Sequence, residues 1–150
     1  MSETNAEELV RRWFDELFND ADLPVADEIL ASGVRYHGPE SLTPTDVTSP
    51  ADVKDYVGVY RRAFPDLRYA VDDVFGSDGR ITARWTATGT HRSELFGIEP
   101  TGEVFVVEGI NVFSVVDGEI DEIWSEWDTL RMVEELDVIP ELSADVEQVG

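Results

Sequence analysis

The chain has 150 residues, 33 of them acidic and 11 basic, for a formal net charge of −22. That balance argues against a nucleic-acid or anionic-membrane partner, which it would repel. The absence of cysteine excludes disulfides, thiolate chemistry and Cys-based metal sites. With 42% apolar residues, including 4 Trp, 7 Phe and 4 Tyr, one domain with a true core is expected. A domain of this length buries about 70% of its unfolded surface.

The first segment reads as a helix. Thr4-Asn5-Ala6-Glu7 has the form of a capping box, and Leu9, Val10, Trp13, Phe14, Leu17 and Phe18 recur at three- and four-residue spacing. A second, short helix begins near Pro24, carries Val25, Ile29 and Leu30, and ends at Gly33. Val34 to His37 is a brief candidate strand. Gly38 to Ser49, with Pro39 and Pro44, is a polar loop long enough to be a lid or site rim. Ser49-Pro50-Ala51-Asp52 opens a third helix, with the stripe Val53, Tyr56, Val57, Tyr60, Ala63 and Phe64, stopped by Pro65.

Beyond Pro65 the period changes to two. Leu67, Tyr69, Val71 and Asp73 alternate with Arg68, Ala70, Asp72 and Val74, and a turn follows at residues 76–79. Ile81, Ala83, Trp85, Ala87, Gly89 and His91 share one face of the next strand. Its Thr/Arg face is left for solvent or a subunit contact. Glu103–Val116 and Glu119–Trp127 form a hairpin around Asp117-Gly118. Leu130 to Leu136 closes as a short helix, and Pro140 to Gly150 is an acidic tail. Helices followed by antiparallel strands mean an α+β domain, with a curled sheet and three N-terminal helices over its concave face. Such a cone encloses a mostly apolar pocket for a small molecule.

The acidic residues run through the whole chain, Lys54 is the only lysine, and the aromatic content argues against disorder. A folded domain at this charge repels itself in dilute buffer, and molar salt shortens the screening length to about 3 Å. The composition reads as adaptation to a salt-loaded cytoplasm of the halophilic archaeal kind. An ordinary acidic protein is the plainer alternative. No run of 18 apolar residues would span a bilayer. Met1 to Glu8 has neither the basic nor the apolar region of a secretory signal, so a cytoplasmic location is expected.

Asp128 ends Trp124-Ser125-Glu126-Trp127-Asp128. A regular hairpin would set Asn111 opposite Trp124, Gly109 opposite Glu126 and Val107 opposite Asp128, unless a bulge changes the parity. A carboxylate beside indole rings loses hydration and becomes an acid/base candidate. The same Asp128 also stands where a cap for the last helix belongs. His91 is either a pocket donor or a strand-end histidine. His37, before Gly38-Pro39, is either a site residue or a turn histidine. Trp13, Tyr56, Tyr60 and Trp85 could line a pocket or fill the core. The two histidines have no metal-binding spacing.

These residues resemble the SnoaL-like polyketide cyclases of the NTF2-like superfamily over roughly residues 6 to 136. The resemblance is carried by Tyr36-His37-Gly38-Pro39, Phe64-Pro65-Asp66-Leu67 and Arg84-Trp85-Thr86-Ala87-Thr88-Gly89-Thr90-His91. Gly97-Ile98-Glu99-Pro100-Thr101-Gly102 and Asp117-Gly118-Glu119-Ile120 with Trp124 and Asp128 complete it. Glu134-Glu135-Leu136-Asp137 departs from the family's usual finish. The resemblance implies a cone-shaped α+β barrel that pairs as a homodimer through the sheet. It also implies ring closure by intramolecular aldol condensation without metal or organic cofactor, with Asp128 as general acid/base. The expected site is then Asp128 and His91 as catalytic groups, with Trp13, His37, Tyr60, Trp85, Asn111 and Trp124 around a small apolar or aromatic substrate. A non-catalytic binding module on the same cone, or a filled cone serving as a scaffold, are the other readings.

Overall fold

The computed structural model describes residues 3–43 and 46–138. It opens with α1 (Glu3–Arg12), which continues as a π-helical stretch, Trp13–Asn19. The apolar spacing gives both one buried face: Val10, Trp13, Phe14, Leu17 and Phe18 are buried, while Glu8, Arg11 and Asp15 face outward. α1 starts one residue ahead of the expected cap, Thr4, whose side chain lies outside the described residues. Asn19 closes the run by gripping the backbone of Tyr69. Its Nδ2 donates to the Tyr69 carbonyl at 2.9 Å and its Oδ1 accepts from the Tyr69 N–H at 2.7 Å.

α2 (Val25–Ile29) is followed directly by β1 (Leu30–His37), so Gly33 lies within a strand and does not close a helix. The polar loop holds a 3-10 turn, Glu40–Leu42; Pro44 lies outside the described residues, as does the tail Pro140 to Gly150. α3 (Pro50–Ala63) has the expected start. Ser49 Oγ accepts the Asp52 N–H at 3.1 Å and Pro50 occupies the first turn, where a missing N–H leaves no bond unmade. Val53, Tyr56, Val57, Tyr60 and Ala63 are its buried stripe.

β2 (Arg68–Ser77), β3 (Arg80–Thr90), β4 (Val104–Val116) and β5 (Glu119–Trp127) follow, then α4 (Thr129–Glu135). The sheet is mixed and five-stranded, in the order β1-β5-β4-β3-β2, with β1 parallel to β5. The expected antiparallel order holds for β2 to β5, and the parallel edge strand β1 is the departure from it. A parallel neighbour needs a long crossover, and α3 with β2 to β4 supplies it. The β2–β3 and β4–β5 hairpins turn on Asp78-Gly79 and Asp117-Gly118, with φ of 54° and 77° and of 51° and 79°. Two consecutive positive φ values match the twist of the flanking strands.

Ile81, Ala83, Trp85 and Ala87 of β3 and Phe105, Val107, Asn111 and Phe113 of β4 point inward under the helices. Two bulges interrupt this alternation. In β2, Asp72 is the extra residue between the pairs Val71↔Trp85 and Asp73↔Arg84, so Val74 and not Asp73 continues the inner face. In β5, Asp121 is the extra residue between Val115↔Ile120 and Ser114↔Glu122.

Candidate functional site

The β5 bulge decides which aromatic residues face the interior. Beyond it the register is Asn111↔Ser125, Ile110↔Glu126 and Gly109↔Trp127, one residue off the regular hairpin. Ser125 and Trp127 therefore turn inward, and Trp124 and Glu126 turn outward.

The inner faces enclose a chamber lined by Tyr56 and Tyr60 of α3, Tyr69 of β2, Trp85 of β3, Phe105 of β4, Trp127 of β5 and Met132 of α4. Its free volume is ≈ 20 Å³, room for about one water molecule. Gly109 makes this packing possible. A Cβ there would stand 2.3 Å from Trp85 Cζ2 and 2.6 Å from Trp127 Cβ, so only glycine lets both indoles close over β4. Trp85 is held flat by its Nε1–H, which donates to Asn111 Oδ1 at 3.1 Å.

The polar groups around the chamber are hydroxyls. Tyr56 and Tyr36 share a hydrogen bond of 2.9 Å between their oxygens, and Ser125 bonds to the Tyr36 hydroxyl from β5. The Tyr60 O–H donates to the Leu42 carbonyl. Burial pushes the Tyr36, Tyr56, Tyr60 and Tyr69 phenols above their ordinary range. All four therefore stay neutral at physiological pH and keep their hydroxyl protons. No carboxylate or imidazole lines the chamber.

Of the sequence-predicted residues, Tyr60 and Trp85 line the chamber and Asn111 braces it. Trp13 lies in the core beyond, stacked on Tyr36 at 6.0 Å and edge-on to Phe113 at 5.8 Å. His37 and Trp124 stack on each other at 5.8 Å on the outer face. There His37 Nε2 pairs with Glu122 Oε2 at 2.7 Å, and the Arg80 guanidinium covers Trp124 at 5.2 Å.

Asp128 is exposed and caps α4, accepting the Arg131 N–H at 2.9 Å. It borders an open groove on the outer face with Arg84, Glu108, Ile110, Glu126 and Trp127. The expected inward position opposite Val107 is thus replaced by one beside Glu108, whose carbonyl accepts the Asp128 N–H at 3.2 Å. The cause is the bulge at Asp121, which shifts the hairpin by one residue.

His91 is fully buried and packs on Phe64 at 5.6 Å. Its Nδ1 accepts the Thr101 N–H at 3.3 Å, and Nε2 has no hydrogen-bond partner. Burial lowers its pKa, against a weaker opposing pull from the Ser93 backbone. No hydrogen bond or ion pair joins His91 to Asp128. Sequence reasoning missed Tyr69, Phe105, Trp127 and Met132. Tyr69 shares a face with Leu67 and Val71, which is a legible signal, whereas Trp127 was turned outward by the assumed register. Among the described residues no three His, Asp or Glu side chains gather to hold a metal ion. Nor is any helix there long and apolar enough to cross a membrane.

A comparison with curated proteins finds no match. Among solved structures, TsrD from Streptomyces laurentii superposes with a TM-score of 0.82 at 21% identity, covering 93% of this chain and 99% of that one. IdmH from Streptomyces antibioticus, provisionally assigned as a polyketide cyclase, gives 0.76 at 25% identity, with 89% and 99% covered. AclR from Streptomyces galilaeus, provisionally assigned as a hydroxylase, gives 0.77 at 22% identity, with 93% and 100% covered. The family model for SnoaL-like polyketide cyclases matches residues 8–136, a span that runs from α1 through every strand to the end of α4. The chain belongs to the SnoaL-like polyketide cyclase family.

Proposed function

We propose that this protein takes a small, apolar, carbonyl-bearing molecule into the aromatic chamber and moves a proton on it, in a cyclase- or isomerase-type reaction carried by side chains alone. The observation that supports this best is the chamber itself: an aromatic wall with neutral hydroxyls, in a chain of the cyclase family. Apolar walls with a few polar groups suit such a ligand.

The free volume of ≈ 20 Å³ means that entry requires α4, which contributes Met132, and Phe96, which packs edge-on to Tyr60 at 6.0 Å, to shift outward. Asp128 is the proposed acid/base. It directly follows Trp127, and a single hydrogen bond holds its side chain at the cap of the same α4 that must move. His91 is proposed to support the site from behind Phe64. Trp13, His37, Asn111 and Trp124 are not among the residues lining the chamber.

A second reading, a non-catalytic binding module or a filled cone, is favoured by two specific observations: the exposed Asp128 and the near-filled chamber. Turnover of small β-diketones and β,γ-unsaturated ketones separates the two. Asp128→Asn is expected to lower kcat by about 10²–10⁴-fold with ligand affinity unchanged. Unchanged turnover removes Asp128 from the mechanism, and binding without turnover by the wild type leaves the module.

The same proposal includes a homodimer through the outer sheet face. Val104, Val106 and Ile110 of β4 are exposed there, and Ile110 lies between Arg84 of β3 and Glu126 of β5. A two-fold pairing would set Arg84 of each copy against the other copy's carboxylates. A salt-rich setting, suggested by the charge of −22, and a cytoplasmic location complete the proposal.

A further inference from the structure

We propose that the Tyr69 hydroxyl is the donor that meets the carbonyl oxygen of a molecule bound in the chamber. This rests on the chamber being a ligand site.

Tyr69 is firmly placed by its backbone and its ring. Asn19 holds both polar groups of its backbone, at 2.9 and 2.7 Å. Its ring is boxed edge-on or tilted by Phe18 at 5.0 Å, Phe14 at 5.5 Å and Trp85 at 4.9 Å. Position and orientation are therefore fixed before any ligand arrives, which lowers the entropy lost on binding.

The polar end of this side chain is unassigned. Tyr56 is engaged by Tyr36, Tyr60 by Leu42 and the Trp85 N–H by Asn111. The hydrogen bonds found for Tyr69 among the described residues are those of its backbone, and its hydroxyl is not among the sealed, unpartnered polar atoms, so the protein leaves it free to meet a molecule in the chamber. The surroundings are aromatic, and desolvation keeps the phenol protonated, so it can only offer its O–H to a ligand oxygen or accept from a ligand donor. Trp127 also carries an indole N–H, but this residue borders the outer groove as well as the chamber. As a carbonyl becomes an enolate its oxygen gains charge, and a fixed donor there strengthens as the reaction proceeds.

Tyr69→Phe tests this with two probes of the same shape, acetophenone and α-methylstyrene, which differ in the carbonyl oxygen. Affinities come from NMR titration of the whole chain, and the carbonyl stretch of bound acetophenone from infrared difference spectra. The expected result is a loss of about 3- to 10-fold for acetophenone, no change for α-methylstyrene, and a carbonyl stretch shifted to higher wavenumber. The unfolding midpoint should stay unchanged, because no internal hydrogen bond is removed, whereas Tyr56→Phe should lower it. Equal changes for both probes, or an unaltered stretch, overturn the Tyr69 assignment and leave the chamber reading intact. If the wild type binds neither probe, the chamber reading fails and the Tyr69 role falls with it.

Discussion

His91 sits fully buried against Phe64, with an Nε2 that meets no acceptor. Its folded pKa lies below the ordinary value because burial disfavours the imidazolium. The unfolded chain, titrating near 6.5, then binds more protons than the folded one just below that pH. Stability therefore falls as pH drops through the unfolded value, and the loss continues until the folded His91 itself titrates. His91→Asn, which still offers an oxygen to the Thr101 N–H, should abolish this component. Chemical denaturation from pH 7.5 to 5.5 should show the wild type losing ground steadily to the variant. Parallel pH profiles would mean that His91 does not titrate differently on folding. At this scale the sequence was a partial guide. The residue types of the chamber could be named, but Asp128 has two plausible uses, and the choice depends on which partner lies within 3 Å. Here that partner is the Arg131 N–H, a contact set by the start of α4.

The elements show why the rest was hard to read. The two Asp-Gly turns, the Ser49-Pro50 start of α3 and the alternation of β3 were legible because each depends on a few neighbouring residues. The bulges were not. Asp121 is one acidic residue in Asp117-Gly118-Glu119-Ile120-Asp121-Glu122, and nothing in that run marks which position falls out of the ladder. β1 was shortened for a related reason: Leu30 continues the apolar spacing of α2, and only the pairing Leu30↔Ile120 turns it into a strand. Gly109, by contrast, is a sharp signal once the sheet is assembled. Gly109→Ala would force Trp85 or Trp127 from its seat and strain the Trp85–Asn111 hydrogen bond. A loss of about 1–3 kcal/mol is expected from urea unfolding, with altered near-ultraviolet circular dichroism from the two indoles. A variant as stable as the wild type would mean that β4 can shift to accommodate the methyl group.

Over the whole molecule, charge dominates. A net −22 on one small domain generates mutual repulsion that ion pairs such as Arg12–Glu28 and Lys54–Asp27 offset only locally. The same repulsion opposes pairing of two copies, although β4 presents exposed valines and Ile110. Raising KCl from about 0.1 to 2 M shortens the screening length from about 10 Å to below 3 Å. Thermal unfolding should move to higher temperature across this range, and sedimentation should shift from monomer to dimer. A midpoint and mass indifferent to salt would set aside both the salt-rich setting and the outer-face dimer.

The sheet's connectivity has a kinetic side. Among the described residues β1 pairs only with β5, some ninety residues later in the chain: His37 lies beside Trp124. While the ribosome is still making the middle of the protein, residues 30–37 have no ladder to join. The apolar side chains of α1 and α2 must wait, or cluster loosely, until the final hairpin emerges. Contacts this distant slow folding. Completion therefore waits for the β4–β5 hairpin, and until it forms the chain is open to capture by chaperones or by its own neighbours.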